Sequence, residues 1–271
     1  MKSKMIRVST VLVLFFIALL NVNAQTDTIA IQTTLAAPDG MGNILVITDN
    51  NSLVKLDSNL TIVATQNLIS YGIASSVECN GGTEVVVYCF NTGQLVIFDN
   101  FLKEKNRYDL TQIIKPKPTL ICISKTGWWC YDENSGTLTN YRANFQKVYT
   151  IPEIIHSGIE IVKMAEAETT YPHLLFANNA LNIPIQANGN YSMIVPANKS
   201  SIPSINYNTP IIYTLSGDSI TRFILNEPFK SRSFAAPSLP HPEKMQTILR
   251  SFNTGFFIYP NHILAIRNWL W

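Results

Sequence analysis

Charged side chains are scarce in this 271-residue chain: Lys, Arg, Asp and Glu make up 14% of it, whereas apolar residues make up 46%. A chain with this balance can fill a hydrophobic core, which excludes intrinsic disorder. Long stretches free of turn-forming residues are also missing, and this argues against a helical protein. The stretch that best fits a helix, residues 160–168, fits an opening β-strand with an insertion equally well.

Recognised catalytic and ligand-binding motifs are missing as well. The chain has no G-x-S-x-G elbow, P-loop, H-E-x-x-H, G-x-G-x-x-G or C-x-x-C motif. No two of its four histidines stand at a local metal-ligand spacing; they are His156, His173, His241 and His262. The sequence therefore predicts no catalytic residue, no cofactor-binding residue, no metal ligand and no cofactor.

The N-terminus predicts export. Three basic residues precede an apolar core at residues 8–20, and Val22 and Ala24 provide the small residues of a cleavage site. A membrane span is the competing interpretation, but the apolar stretch is short for the roughly 20 residues that a span needs. We expect residues 1–24 to be a signal peptide and residues 25–271 to form one mature domain.

Removal of this segment also changes the charge. It carries three of the 20 basic residues and none of the 18 acidic ones, so the mature chain has 17 basic and 18 acidic residues and a formal charge of −1. A near-neutral chain offers no electrostatic attraction for nucleic acid or for an anionic membrane surface.

A turn followed by an apolar strand recurs six times along the chain. An aliphatic residue stands two positions after each turn residue, and the steps between these aliphatics are 42, 43, 43, 39 and 43 residues. The turn residues are Asn51, Gly93, Gly136, Asn179, Asp218 and Asn261, and the aliphatics are Leu53, Leu95, Leu138, Leu181, Ile220 and Ile263. A four-stranded propeller blade takes roughly 40–45 residues. The repeat therefore predicts an all-β fold, a six-bladed β-propeller with four-stranded blades.

Strand positions follow from the same pattern. The second unit predicts strands at residues 73–79, 84–90, 94–98 and, more weakly, 105–110. The first, third and sixth units predict strands at residues 44–48 and 53–56, at 120–124, 127–131 and 137–141, and at 245–250, 255–259 and 263–268. Pro184 falls inside a strand of the fourth unit and predicts a distortion there. Because the sixth unit has only three strands, we expect residues 28–32 to pair with it and close the ring.

Five aspartates lie in or beside the predicted turns: Asp49, Asp57, Asp99, Asp132 and Asp218. Asp accepts hydrogen bonds from its own backbone in turns, which favours a structural role. The alternative is a calcium or other cation site, to which Asp57, Ser58 and Asn59 would contribute oxygen ligands. A catalytic cation on the propeller axis would need three or more carboxylate or amide side chains to converge there.

The four cysteines, Cys79, Cys89, Cys122 and Cys130, are predicted to be buried free thiols. We expect Cys79 and Cys89 to lie on opposite faces of their hairpin, and likewise Cys122 and Cys130. Residues on opposite faces cannot meet the geometry of a disulfide, so neither pair is expected to form one. A disulfide between neighbouring units, from Cys89 to Cys130, is the alternative.

Two pairs of tryptophans allow two interpretations each. Trp128 and Trp129 are consecutive, so in a strand they point to opposite faces, where they would pack between blades. The alternative is that they stack on a sugar or a partner at a blade edge. The same choice applies to Trp269 and Trp271.

A repeated pattern of turn residue, x, aliphatic, x, x, Leu or Phe, Asp, with an Asn one or two positions later, stands at residues 51–59 and 93–100. It resembles six-bladed propeller proteins of the NHL and quinoprotein-like kind and, more narrowly, an uncharacterised envelope family of exported propellers in Gram-negative bacteria. The resemblance covers the first three units well and the last three loosely. It implies an envelope location and a binding or scaffolding role. The tryptophan docking repeats and cofactor ligands of quinoprotein enzymes do not occur in this sequence.

These observations predict a non-enzymatic binding or scaffold module that mediates protein–protein interaction in the bacterial cell envelope. We expect a periplasmic protein, free or peripherally attached to the outer membrane, whose partner is an envelope or outer-membrane protein complex. It would bind no nucleic acid and would not span the membrane after cleavage. The alternative is a propeller enzyme, glycan-active or a lactonase-type hydrolase, with a cation in the central funnel.

Overall fold

The computed structural model describes residues 25–152, 160–166, 171–177, 181–184, 191–195, 211–216, 219–224, 230–235, 237, 239, 244–251 and 253–267. Nearly all of the regular structure in these ranges is β-strand, with one single-turn helix, α1 (Leu110–Ile113). Within the same ranges, no helix has the length and apolarity that a membrane crossing requires.

The described strands form six antiparallel sheets, which we number in chain order. Sheet 1 contains β2 (Thr33–Pro38), β3 (Ile44–Thr48), β4 (Ser52–Leu56) and β5 (Ile62–Asn67). Sheet 2 contains β6 (Ser76–Asn80), β7 (Glu84–Cys89), β8 (Gln94–Asp99) and β9 (Glu104–Asp109). Sheet 3 contains β10 (Leu120–Ser124), β11 (Gly127–Asp132), β12 (Thr137–Arg142) and β13 (Lys147–Ile151).

The remaining sheets follow the same order of hairpins. Sheet 4 contains β14 (Ile161–Ala165), β15 (His173–Phe176), β16 (Leu181–Pro184) and β17 (Tyr191–Val195). Sheet 5 contains β18 (Ile211–Ser216), β19 (Ser219–Ile224) and β20 (Lys230–Ala235). Sheet 6 contains β21 (Thr247–Ser251), β22 (Thr254–Ile258) and β23 (His262–Arg267), and the N-terminal strand β1 (Gln25–Ala30) is its fourth member.

In the first three sheets, backbone conformation explains which residue type stands at the repeated turn. Asn51, Gly93 and Gly136 take positive φ angles of 58°, 70° and 64°, which Gly and Asn tolerate better than other residues. The turn places the following aliphatic in the core. Leu53, Leu95, Leu138, Ile220 and Ile263 are each 0% exposed. The repeat therefore places an aliphatic side chain in the core at these five positions.

Neighbouring sheets pack through shared apolar clusters. The first strands lie side by side: β2 contacts β6 and β21, β6 contacts β10, β10 contacts β14, and β18 contacts β21. Separate core clusters fill the spaces between sheets 1 and 2, 2 and 3, 3 and 4, 6 and 1, and 5 and 6. Trp128 packs towards sheet 2 and Trp129 towards sheet 4, so their predicted role in packing is confirmed.

Each sheet has two distinct ends. The turn end carries the turns between its first and second strands and between its third and fourth strands. The linker end carries the turn between its second and third strands and the link to the next sheet. Turn ends lie together: a Cβ on Gly82 of sheet 2 would lie 2.4 Å from the Met41 side chain of sheet 1. Linker ends also meet, since the Ile73 backbone N–H donates to Asn91.

Strand β1 pairs antiparallel with β23 over six residue pairs, from Gln25 opposite Arg267 to Ala30 opposite His262. An ion pair of 2.6 Å joins Asp27 to Arg267 at this edge. Ile29 and Ile31 pack against the cluster between sheets 6 and 1. The first strand thus covers an edge that β23 would otherwise expose.

A buried polar network crosses the turn ends of sheets 6, 1 and 2. Asp39 and Lys55 of sheet 1 form an ion pair of 3.0 Å, with side chains 0% and 3% exposed. Asp39 also accepts hydrogen bonds from the Met41 and Asn43 backbone N–H groups, and Lys55 donates to Asn100 of sheet 2. Ser251 of sheet 6 accepts from the Gly42 backbone N–H at 2.8 Å. Loss of either partner would leave an uncompensated charge in the core, which is strongly destabilising.

The strand predictions agree with the structure to within about three residues at their ends in sheets 1, 2, 3 and 6. The stretch 160–168 forms strand β14 at Ile161–Ala165, so its helical interpretation is wrong. Pro184 ends β16 opposite Tyr191, at a strand terminus where its missing N–H is tolerated. Helix α1 was not predicted. Asp109 caps it by accepting from the Thr111 backbone N–H.

Candidate functional site

The first strands of sheets 1–4 enclose a small cavity of about 60 Å³. Its described lining is apolar apart from Ser75, Ser76 and Lys163, and no carboxylate is among these residues. A volume of this size holds about two water molecules, since each takes about 30 Å³ of liquid. The surface that these four first strands present to the cavity is therefore mainly apolar.

One buried carboxyl group lies beside this cavity. Glu78 on β6 is 3% exposed and accepts a hydrogen bond of 2.9 Å from the Ile123 backbone N–H on β10. Burial raises the pKa of Glu78 to about 8, although that hydrogen bond and the Lys163 charge oppose the shift. Burial likewise lowers the pKa of Lys163, against the attraction of Glu78. These two groups link the first strands of three sheets electrostatically.

The described turn aspartates that were candidate cation ligands are Asp57, Asp99, Asp132 and Asp49, and the first three accept hydrogen bonds within their own turns. Asp57 accepts hydrogen bonds from the Asn59 and Thr61 backbone N–H groups, both at 2.8 Å. Asp99 accepts from Phe101 and Lys103 in the same way. Asp132 accepts from Asn134 and Ser135, and Asp49 is exposed in a turn at the linker end of sheet 1. These four lie in separate turns, and Asp218 lies outside the described residues.

The histidines are dispersed in the same manner. His173 on β15 is 1% exposed, neither ring nitrogen has a hydrogen-bond partner, and burial lowers its pKa to about 4. His262 stacks on Tyr259 with ring centroids 4.2 Å apart. His156 and His241 lie outside the described residues. Among the residues that are described, no three His, Cys, Asp or Glu side chains come close enough together to hold a metal ion.

All four cysteines are buried free thiols, as predicted. One part of that prediction is wrong: Cys79 and Cys89 share a face and contribute to the same cluster between sheets 1 and 2. Cys79 lies opposite Val85, and positions 85, 87 and 89 of β7 point the same way. Cys122 and Cys130 do lie on opposite faces. Cys89 and Cys130 belong to different clusters, so the alternative disulfide does not form.

A pocket of about 360 Å³ opens at the turn end between sheets 3 and 4. It is lined by Ser124, Lys125, Thr126, Asn140, Arg142, Val148, Tyr149 and Glu166. At its base, Glu166 is 2% exposed and accepts hydrogen bonds from the Lys125 backbone N–H at 3.0 Å and from Trp129 Nε1 at 2.8 Å. The sequence did not reveal this pocket, because its residues come from three strands, one turn and the segment that follows β14.

Aromatic rings form one side of the same pocket. The ring of Tyr149 meets that of Trp129 edge to face at 5.4 Å, and that of Tyr171 at 6.5 Å. Burial raises the pKa of Tyr149 to about 12, with the charges of Tyr171 and Glu166 as smaller contributions. Its hydroxyl group therefore keeps its proton at neutral pH.

An apolar patch lies at the linker end around sheet 2. It consists of Ile69, Ile73, Phe90 and Ile113, which are 69%, 69%, 39% and 44% exposed. The link between sheets 1 and 2 carries the first two, the turn between β7 and β8 carries Phe90, and α1 carries Ile113. The Lys117 ammonium lies 4.1 Å from the centroid of the Phe90 ring and donates to the Phe90 carbonyl.

Close backbone contacts hold the patch together. The Asn51 amide donates to the Gly72 carbonyl at 2.7 Å, and its oxygen accepts from the Ala74 backbone N–H at 3.0 Å. A Cβ on Gly72 would lie 2.6 Å from Asn91 and Thr92, so only glycine fits at its φ of 118°. The patch is therefore exposed on a fixed backbone.

Solved structures that are similar to this chain include β-propellers. Selenomethionine-substituted virginiamycin B lyase from Staphylococcus aureus matches with a TM-score of 0.56 and 10% identity, over 90% of this chain and 99% of that chain. A streptogramin B lyase structure matches with a TM-score of 0.58 and 9% identity, over 89% of this chain and 97% of that chain. At this level of identity the likeness shows the fold alone: the protein is an all-β propeller of antiparallel sheets.

BamB from Moraxella catarrhalis superposes more loosely, with a TM-score of 0.42 and 9% identity over 83% of this chain and 70% of that chain. A likeness this loose supports no conclusion about function. No protein-family model matches the sequence, and no curated protein matches it either.

Proposed function

We propose that residues 25–271 form a closed six-bladed propeller that acts as a non-enzymatic binding module for a protein of the bacterial cell envelope. Residues 1–24 would be removed as a signal peptide on export to the periplasm. Six sheets in regular sequence and the pairing of β1 with β23 support the blade count and the closure. The repeated sequence at residues 51–59 and 93–100 supports an envelope location through its resemblance to exported propellers.

The apolar patch is the observation that carries this proposal. Its four large side chains come from three separate segments yet lie at one end of one sheet, and such groups cost free energy when they face water. Lys115 is exposed beside the patch and Lys117 lies over Phe90, so the rim is basic. A partner surface that is apolar at its centre and acidic at its margin complements both features.

The alternative function, a hydrolase with a cation in the central funnel, has less support. The described lining of the cavity between the first strands is apolar apart from Ser75, Ser76 and Lys163, and Asp57, Asp99 and Asp132 accept hydrogen bonds within their own turns. A rigid repeat with an apolar end surface fits a scaffold better, because packed sheets hold the surface in place without an ordering cost on binding.

Site-specific photo-crosslinking in intact cells tests the proposal. A photo-reactive phenylalanine analogue is placed at Phe90 in the patch or, as a matched control, at Phe101, which is 71% exposed at the turn end of the same sheet. We expect one envelope protein to crosslink at Phe90 and not at Phe101. The double substitution Ile69→Ser and Ile73→Ser should reduce that adduct at least about ten-fold, as the loss of buried apolar contacts predicts.

Two results would contradict the proposal. One is the absence of a reproducible adduct at Phe90, and the other is an adduct that survives the double substitution. Circular dichroism of the double variant should match that of the parent protein, because both isoleucines are exposed.

A further inference from the structure

The pocket between sheets 3 and 4 has the size and the chemistry of a small-molecule site. Its volume of about 360 Å³ lies in the range of ligand pockets, about 300–1,000 Å³. It lies at the turn end, whereas the apolar patch lies at the linker end. A ligand in this pocket would thus be independent of a protein bound at the patch.

Its polar groups are held in position before any ligand arrives. Asn140 is 4% exposed; its oxygen accepts from the Thr126 hydroxyl at 3.2 Å and its amide donates to the Ser124 hydroxyl at 3.3 Å. Glu166 holds the neighbouring turn through the Lys125 backbone N–H. Fixed hydroxyl and amide groups at the base of a pocket suit a ligand that carries several hydroxyl groups.

Arg142 places a positive charge at the rim of the pocket. It is exposed and lines the opening. The guanidinium of Arg142 donates to the Gln146 side chain at 3.3 Å. Because Gln146 is neutral, this contact does not neutralise the charge of Arg142. A planar guanidinium at a rim matches a carboxylate in a bidentate arrangement.

The aromatic side of the pocket adds a flat surface. Tyr149 is half-buried, and the edge-to-face contacts with Trp129 and Tyr171 fix its ring. Such a ring can contact the apolar C–H face of a pyranose while polar groups beside it bind the hydroxyls.

We propose that this pocket binds an acidic sugar, a pyranose that carries a carboxylate. The sugar ring lies against Tyr149, its hydroxyls hydrogen-bond to Thr126, which Asn140 orients, and its carboxylate pairs with Arg142. No chemical step follows from this arrangement. The site is one of recognition.

Calorimetric titration of the full mature chain with three ring compounds tests this proposal. Methyl glucuronoside carries both hydroxyls and a carboxylate, methyl glucoside lacks the charge, and cyclohexanecarboxylate lacks the hydroxyls. We expect the glucuronoside to bind at least about ten-fold more tightly than either of the others, since a charge-assisted contact and the hydroxyl contacts each contribute. Its affinity should fall as salt is added, because the rim is exposed.

Variants assign the binding to this pocket. Arg142→Met keeps the apolar stem and removes the charge, and Tyr149→Leu removes the ring; each should weaken glucuronoside binding at least about ten-fold. Lys147→Ala is the matched control, because Lys147 is an exposed basic residue of β13 outside the pocket lining. The Ile69→Ser and Ile73→Ser substitutions should leave glucuronoside binding unchanged.

Three results would overturn the proposal. The first is equal affinity for the glucoside or for cyclohexanecarboxylate. The second is glucuronoside binding that Arg142→Met leaves unaltered in a folded protein. The third is the absence of saturable binding up to the solubility limit of the glucuronoside.

Discussion

Two buried carboxyl groups in this protein have opposite electrostatic surroundings. Burial pushes the pKa of Asp39 upwards, but hydrogen bonds from Asn43, Met41 and Lys55 outweigh it, and the pKa lies below its ordinary value. Glu78 has a single backbone donor, so burial dominates and raises its pKa. Asp39 therefore joins sheets 6, 1 and 2 as a charged group, whereas Glu78 holds its proton at neutral pH.

Replacement of Glu78 by Gln should change how stability depends on pH. Between about pH 4.5 and pH 8 the folded protein keeps a proton on Glu78 that the unfolded chain has released. The folded state then binds more protons, so the free energy of unfolding falls as the pH rises through this window. Glu78→Gln removes that contribution, and its stability relative to the parent should increase by about 1–3 kcal/mol from pH 5 to pH 8.

Urea unfolding of both proteins at pH 5, 6, 7 and 8 measures this difference. Glu78→Gln also removes the attraction that opposes the lowering of the Lys163 pKa, so that pKa falls further. The effect has the same sign, because the folded variant then binds fewer protons at Lys163 than the unfolded chain does. The informative quantity is the change with pH in the difference between the two proteins. A constant difference across the window would show that the pKa of Glu78 is not raised.

Individual elements could be predicted from the sequence where turn chemistry brackets them. The turns at Asn51, Gly93 and Gly136 could be predicted because a positive φ restricts the residue type. Each of these turns also marks the end of one strand and the start of the next. Helix α1 could not be predicted in the same way. It is a single turn that depends on the Asp109 cap and on burial of Leu110 between sheets.

Features that depend on strand register or on residues far apart in the sequence could not be predicted. The shared face of Cys79 and Cys89 follows from the pairing of Cys79 with Val85, which depends on the register of one hairpin. The pocket between sheets 3 and 4 needs Glu166 of one sheet beside Lys125 of another. No local pattern carries that information, whereas the buried aliphatics repeat at a fixed period.

Removal of strand β1 should destabilise the whole domain. A chain that begins at Thr33 loses the six residue pairs between β1 and β23 and the packing of Ile29 and Ile31. It also exposes β23 as an edge strand, which favours aggregation. We expect its melting temperature to fall by at least about 10 °C relative to a chain that begins at Gln25, because several buried contacts are lost together.

The control separates the strand from its ion pair. Arg267→Ala removes the ion pair with Asp27. The side chains of Arg267 and Asp27 are 21% and 31% exposed, and ion pairs this exposed contribute about 0–1 kcal/mol. Its melting temperature should change by only a few degrees. Equal melting temperatures for the chains that begin at Thr33 and Gln25 would show that β1 is dispensable.

At the scale of the whole molecule, stability is shared between sheets. Each described cluster draws its side chains from two neighbouring sheets, and the network of Asp39 and Lys55 reaches three. No sheet therefore contains its own core. Loss of packing in one sheet must weaken the next, as happens when repeats are stabilised by nearest-neighbour interfaces.

This coupling predicts that a core substitution in sheet 6 lowers the unfolding temperature of sheet 3. Phe256 is 0% exposed between sheets 6 and 1, and Phe256→Ala should cost about 3–5 kcal/mol. Replacement of Trp269 and Trp271 by Phe in every protein leaves Trp128 and Trp129 as the only fluorescent indoles, both in sheet 3. With that background, the fluorescence transition and the far-ultraviolet circular dichroism transition should move together by about 6–20 °C. If the sheets are not coupled, sheet 3 will keep its structure after sheet 6 has lost its own. The dichroism signal will then begin to fall below the parent's unfolding temperature, while the fluorescence transition stays at that temperature.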